Sequence, residues 1–179
     1  MYLCIADFSD IRMRIDVNER VRLAQDFFME GYNCTQAVVL AFEDILGSDR
    51  AVLERLSIGL GGGVGRLREV CGTVNAMAVI AGTLASLDGK THQQQKKDTY
   101  SIVQELAGMF REENGSIICR ELMGLRAEEK QNPVPQERTP EYYKSRPCLR
   151  LVACSARIIA EYVKKNSQLA ENLEIVSNT

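Results

Sequence analysis

The sequence predicts an all-α fold: a single-domain bundle of about five to seven helices with a glycine-rich loop and a proline-rich surface excursion. Three observations predict it. Apolar residues recur at three- and four-residue steps, no segment alternates with strand period over a useful length, and glycine or asparagine ends the clearest runs. A chain of 179 residues, 45% of them hydrophobic, is long enough to bury one core without a disulfide framework. Residues 1–179 therefore read as one domain, with tails at 1–16 and 166–179.

Val21, Ala24 and Phe28, with Leu23 and Phe27 beside them, fit a first helix that Gly31 stops. Val38, Ala41, Phe42, Ile45 and Leu46 give a second, ending at Gly47. Ser48-Asp49 caps a third, RAVLERLSI, which dissolves into the glycine run GLGGGVG. A fourth spans roughly Cys71 to Leu87. Its Asn75, Ala78, Gly82 and Ala85 form a small-residue stripe that lets another helix approach closely, within the chain or in a homodimer. Val103, Leu106, Ala107 and Phe110 mark a long fifth helix, preceded by the polar run HQQQKK and ended by Asn114-Gly115. A short helix is expected around CRELMG. The segment from Arg126 to Pro147 holds all four prolines and reads as an irregular excursion of the kind used for lids or binding loops. A last helix, from about Pro147 to Lys165, confines Arg150, Arg157, Glu161 and Lys164 to one strip and belongs at the centre of the core. The tail NSQLAENLEIVSNT either adds a short helix or frays.

Composition excludes several functions. With 22 basic and 24 acidic residues there is no electrostatic footprint for nucleic acid. The N-terminus has acids inside its apolar part and does not read as a secretory signal, so a cytoplasmic location with reduced thiols is expected. The uncharged run VCGTVNAMAVIAGTLASL could just span a bilayer in length, yet its Asn75, glycines and hydroxyls favour a buried helix, and no membrane span is expected. The glycine run lacks the third glycine of a dinucleotide loop and the Gly-Lys-Ser/Thr of a P-loop, so no organic cofactor is inferred. His92 is expected on the surface, and the pairs Glu43-Asp44 and Glu112-Glu113 on solvated faces.

The six cysteines form neither CxxC nor CxxCH. Four of them lie in or beside a first helical turn. Asn33 can cap the second helix just before Cys34, Cys71 opens the fourth, Ser116 can cap the short helix that holds Cys119, and Cys148 follows Pro147. Unpaired backbone N–H groups and the positive end of a helix favour thiolate over thiol, so lowered thiol pKa values are expected. Arg66 and Arg68 near Cys71, Arg120 beside Cys119, and Arg146 and Arg150 around Cys148 reinforce this, against Glu69 and Glu121. Cys154, mid-helix, and Cys4, in the N-terminal tail, lack such placement and read as structural or incidental.

The pieces GYNCTQAV, LGGGVGRLREVCGTVNAM, CRELMGL and RPCLRLV, spread over about Gly31 to Val163, resemble a redox-active protein family named for its cysteine pattern, C_GCAxxG_C_C. Cys34, Cys71, Cys119 and Cys148 take its four positions. The central CGTVNA departs from the family's CGAxxG, with Thr73 and Ala76 in place of alanine and glycine; both side chains stay small, which preserves close packing. The resemblance implies a helical protein with redox activity, associated with transport or electron-transfer systems.

Three functions compete. In a thiol–disulfide oxidoreductase or electron-transfer protein, Cys71 attacks a redox partner protein or small thiol, reached past the mobile glycines, and Cys34, Cys119 or Cys148 resolves the mixed disulfide. Gly72, Arg66 and Asn75 support it, Asn75 as a hydrogen-bond donor to the thiolate. Alternatively the same four sulfurs hold a metal ion or an iron–sulfur cluster, which soft thiolates select. In a non-catalytic helical adaptor the cysteines only fill space.

Overall fold

The computed structural model describes residues 15–85, 89–126 and 132–177. Five of the described helices begin where a side chain takes up free backbone N–H groups. Asp16 accepts from Asn18 and Glu19 and caps α1 (Val17–Met29). Asn33 caps α2 (Cys34–Leu40), and Gln36 reaches back to the Asn33 N–H to close a capping box. The expected second helix is in fact two. Phe42 leaves helical backbone and sinks its ring completely into the core, so α3 (Glu43–Leu46) starts afresh and ends at Gly47 in left-handed backbone. The third expected helix is α4 (Arg50–Ile58), capped by Asp49.

Cys71 occupies the cap position of α5 (Gly72–Leu84). The long helix α6 (His92–Asn114) includes the polar run instead of following it, because Thr91 and Gln94 form a second capping box. Next come α7 (Cys119–Leu122) and, inside the proline-rich excursion where no helix was expected, α8 (Pro140–Lys144), with Thr139 as cap and Pro140 in the first turn. The last helix, α9 (Cys148–Ser177), continues through the C-terminal segment expected to form a separate helix or fray. Among the described residues these are nine helices, and the only β pairing is one isolated bridge between Val70 and Ile118.

The short helix α2 is buried from Thr35 to Leu40 and forms the axis around which α1, α4, α5 and α9 pack. On α9, Leu151, Val152, Ala156, Ile158, Ile159, Ala160 and Val163 are buried, so the last helix lies in the core as its pattern predicted. The small-residue stripe of α5 behaves differently. Ala76, Met77, Ile80 and Ala81 face the core, while Ala78 is exposed and no atom lies near a Cβ built on Gly82. Among the described residues nothing packs on the stripe at Gly82, whereas Ala85 is buried and Asn75 is engaged by the glycine loop.

Two buried hydrogen bonds tie the central helices together. The Thr35 hydroxyl donates to the Gly72 carbonyl at 2.9 Å, and the Ser155 hydroxyl to the Thr73 carbonyl at 3.0 Å. They fix α2 and α9 against the first turn of α5, and a buried polar group left unmade there would cost about 1–3 kcal/mol. No described helix is long and apolar enough to cross a membrane.

Candidate functional site: a cavity lined by four thiols

The four helix starts converge. Cys34 is the first residue of α2, Cys71 the cap of α5, Cys119 the first residue of α7 and Cys148 the first of α9, and all four line one cavity of about 270 Å³. All four are free thiols. Cys71 and Cys119 lie deep, at 4% and 6% exposure, whereas Cys34 and Cys148 are half-buried. The isolated bridge aligns the two deep thiols: the Cys71 N–H donates to the Ile117 carbonyl at 2.8 Å and the Cys119 N–H to the Glu69 carbonyl at 2.6 Å. Gly72 is required by close approach, since a Cβ there would stand 2.4 Å from Cys34 Sγ and 2.6 Å from Thr35 Oγ1.

The glycine run is a wall of this cavity. Gly62, Gly63, Val64, Gly65 and Arg66 all carry positive φ, and so does Arg68. They wind a left-handed turn held by backbone hydrogen bonds from Gly65 to Gly59, Arg68 to Gly62 and Glu69 to Gly63. L-residues resist this backbone by about 1–2 kcal/mol each, which is why glycine dominates it. The approach past mobile glycines expected from the sequence is thus a hydrogen-bonded turn, and it brings Arg66 and Arg68 to the cavity lining. Asn75 serves this wall as well. Its Nδ2 donates to the Leu60 and Val70 carbonyls, at 3.0 and 3.3 Å, so it holds the loop and does not hydrogen-bond a thiolate as expected.

The other wall is the proline-rich excursion, folded back over the thiols. Pro133, Pro135, Gln136, Arg138, Tyr142 and Arg146 all line the cavity. Arg66 Nε donates to the Asn132 carbonyl at 2.6 Å and joins the two walls. Arg138 lies over the rings of Phe28 and Tyr142, 4.6 Å from each centroid, and donates to the Tyr32 carbonyl at 3.0 Å. Arg146 stacks on Tyr142 at 4.5 Å and bonds Gln136. Met123 supplies a fifth sulfur, 3.6 Å from Cys148 Sγ.

Burial reverses the expected electrostatics of the thiols. It pushes Cys71 up to about 12, helped by the proximity of Cys34 and opposed by a hydrogen bond with the Thr73 hydroxyl at 3.2 Å. Burial likewise raises Cys148 to about 11, with Cys34 and Cys119 adding to it and Arg146 and Arg138 opposing. Cys34 is raised by burial against a hydrogen bond from the Gly62 backbone. The lowered values predicted from helix position are therefore corrected for Cys34, Cys71 and Cys148. A helix terminus contributes typically 0.3–1 kcal/mol, whereas desolvating an ion can shift its pKa by several units. Arg66 is itself pushed down, by burial first and then by Arg68 and Arg146.

Cys154 does not line this cavity; it lies against Asn114 and Glu113 on the α6–α9 seam. Cys4 lies outside the described residues. Among the described residues no group of three or more His, Cys, Asp or Glu side chains is arranged to hold a metal ion, so the four sulfurs share a cavity without forming a ligand set.

Residues 32–162, which include all four cavity cysteines, match the family model described as "Putative redox-active protein (C_GCAxxG_C_C)". The chain belongs to this family. Neither a curated protein nor a solved structure matched it. The C_GCAxxG_C_C match spans both walls of the cavity, and the family's description supports a redox-related role for the chain. Sequence reasoning found the four cysteines but missed Thr35, Thr73, Arg138 and Tyr142 as parts of their setting. A proline-rich segment carrying arginine and tyrosine was the available signal for the last two.

Proposed function

We propose that the cavity is a thiol–disulfide centre. What carries this reading is the convergence of four free thiols, each at a helix start, on one lined cavity. Cys148 is the attacking group: it is half-buried, and Arg146 and Arg138 stabilise its thiolate. Cys71, assigned that part from the sequence, suits the resolving step better because it is deeper and held protonated more strongly. In the first step the Cys148 thiolate attacks a disulfide, forms a mixed disulfide and expels one thiolate. A second cavity thiol, on losing its proton, then attacks Cys148 Sγ and expels the other. The substrate gains two electrons and two protons, and the protein keeps one new sulfur–sulfur bond.

Peptide mapping without reductant, after brief oxidation of the anaerobically purified protein with diamide, tests this. The expected result is an intramolecular disulfide among Cys34, Cys71, Cys119 and Cys148, reversed by dithiothreitol. Oxidation confined to Cys154 or Cys4 in folded protein would overturn the proposal. So would stoichiometric metal bound through these sulfurs in the purified protein, the outcome that a metal or iron–sulfur centre requires.

A further inference from the structure

The charge lining the cavity is one-sided. Among the described residues Arg66, Arg68, Arg138 and Arg146 face it, and none of those that line it is an aspartate or glutamate. Arg138 is the most telling. Its Nη2 is spent on the Tyr32 carbonyl, but its Nη1 is buried and finds no hydrogen-bond partner among the described residues. Leaving a buried charged donor unmade is costly, and an acceptor supplied by a ligand removes that cost. The guanidinium carbons of Arg138 and Arg146 both lie within 4.6 Å of the Tyr142 ring centroid, so two like charges share one ring, and both act on the Cys148 thiol. Planar guanidinium groups match carboxylates in geometry as well as charge.

Size and cover narrow the class further. About 270 Å³ falls just below the range usual for drug-sized ligands, and the excursion covers the thiols, which leaves little room for a disulfide on a folded protein surface. We propose that the substrate is a small organic disulfide bearing carboxylates, held by Arg138, Arg146 and Arg66 with its sulfur–sulfur bond presented to Cys148. This rests on the thiol–disulfide reading above and specifies its substrate. The exchange is the one already written, with a carboxylate-bearing thiolate as each leaving group. Turnover would need a dithiol reductant, but a single turnover does not.

The test uses single-turnover oxidation of the reduced protein by dithiodiglycolate (a dianion), bis(2-hydroxyethyl) disulfide (neutral) and cystamine (a dication), each rate normalised to the same reagent with free dithiothreitol. Thiodiglycolate, a thioether dianion that cannot exchange, reports binding alone by calorimetry. We expect a normalised preference of at least tenfold for the dianion over the dication, measurable thiodiglycolate binding, and loss of both in Arg138→Met and Arg146→Met, while Arg138→Lys keeps part of each. Equal normalised rates without thiodiglycolate binding would overturn this substrate class and leave the thiol chemistry intact. Thiodiglycolate binding without reaction of any disulfide would overturn the thiol chemistry and this proposal with it. Circular dichroism of each variant separates a lost site from a lost fold, and Arg146→Met keeps the test decisive should Arg138→Met unfold.

Discussion

At Gly72 the absence of a side chain is a structural requirement. The residue sits where α2 and α5 come closest, and its carbonyl accepts the Thr35 hydroxyl. A methyl group there would meet Cys34 Sγ at 2.4 Å and Thr35 Oγ1 at 2.6 Å, so both side chains must move, and moving the Thr35 hydroxyl breaks its bond to the Gly72 carbonyl. Gly72→Ala should therefore cost about 1–3 kcal/mol, as overpacking in a core does, read as a lower denaturant midpoint. Gly82→Ala is the control, since among the described residues no atom outside its own helix lies within 4 Å of its Cβ and helix propensity favours alanine. Equal losses at both positions would show that the close approach is not what makes Gly72 necessary. At this scale Cys34 was legible because Asn33, which caps its helix, directly precedes it, whereas Cys71 is itself the cap of α5 and the cap of α7 is Ile118, without a side-chain bond, instead of the expected Ser116. The thiol pKa values were not legible. The sign depends on how much water burial removes, and burial comes from residues as distant as Arg138, 106 positions from the Tyr32 carbonyl it bonds.

The elements that frame the cavity divide in the same way. Helix ends set by local chemistry, such as Asp49 before α4 and Gly115 after α6, follow directly from the sequence. The break at Phe42 does not, because it answers to core packing. Nor does the left-handed turn, whose glycines suggested open access when their office is unusual backbone. Within that turn Val64 is a β-branched residue at φ 60°. Such a residue is strained there by about 1–2 kcal/mol, while glycine adds about 0.5–1 kcal/mol of chain entropy on unfolding. Val64→Gly should accordingly leave the unfolding free energy unchanged or raise it by up to about 1.5 kcal/mol. One position earlier the sign reverses: Gly63→Ala places a Cβ 2.7 Å from Cys119 Cβ at φ 71°, and a loss of about 2 kcal/mol is expected. Urea titration of the two variants decides the matter, and a clear loss in Val64→Gly would show that its side-chain packing outweighs its backbone.

Across the whole molecule, loss of water on folding raises the pKa of three thiols, Cys34, Cys71 and Cys148. A thiol titrates near 8.5 in the unfolded chain, and Cys71 near 12 when folded. Between those values the folded state holds a proton that the unfolded state has released, so stability falls as pH rises. The contribution is complete below about pH 8 and is lost progressively upward, at most about 1.4 kcal/mol per pH unit for each such thiol. The window from pH 9 to 10 isolates the effect, because tyrosine in an unfolded chain titrates only near 10. Cys71→Ser removes one titrating group and should flatten the slope of unfolding free energy against pH there by about 1 kcal/mol per unit, whatever it costs in packing at neutral pH. Urea midpoints measured anaerobically across that window give the slope. An unchanged slope would mean that Cys71 ionises as readily folded as unfolded. The resolving role argued for it would then give way to the attacking one, since the thiol most easily ionised is the one that meets a disulfide first.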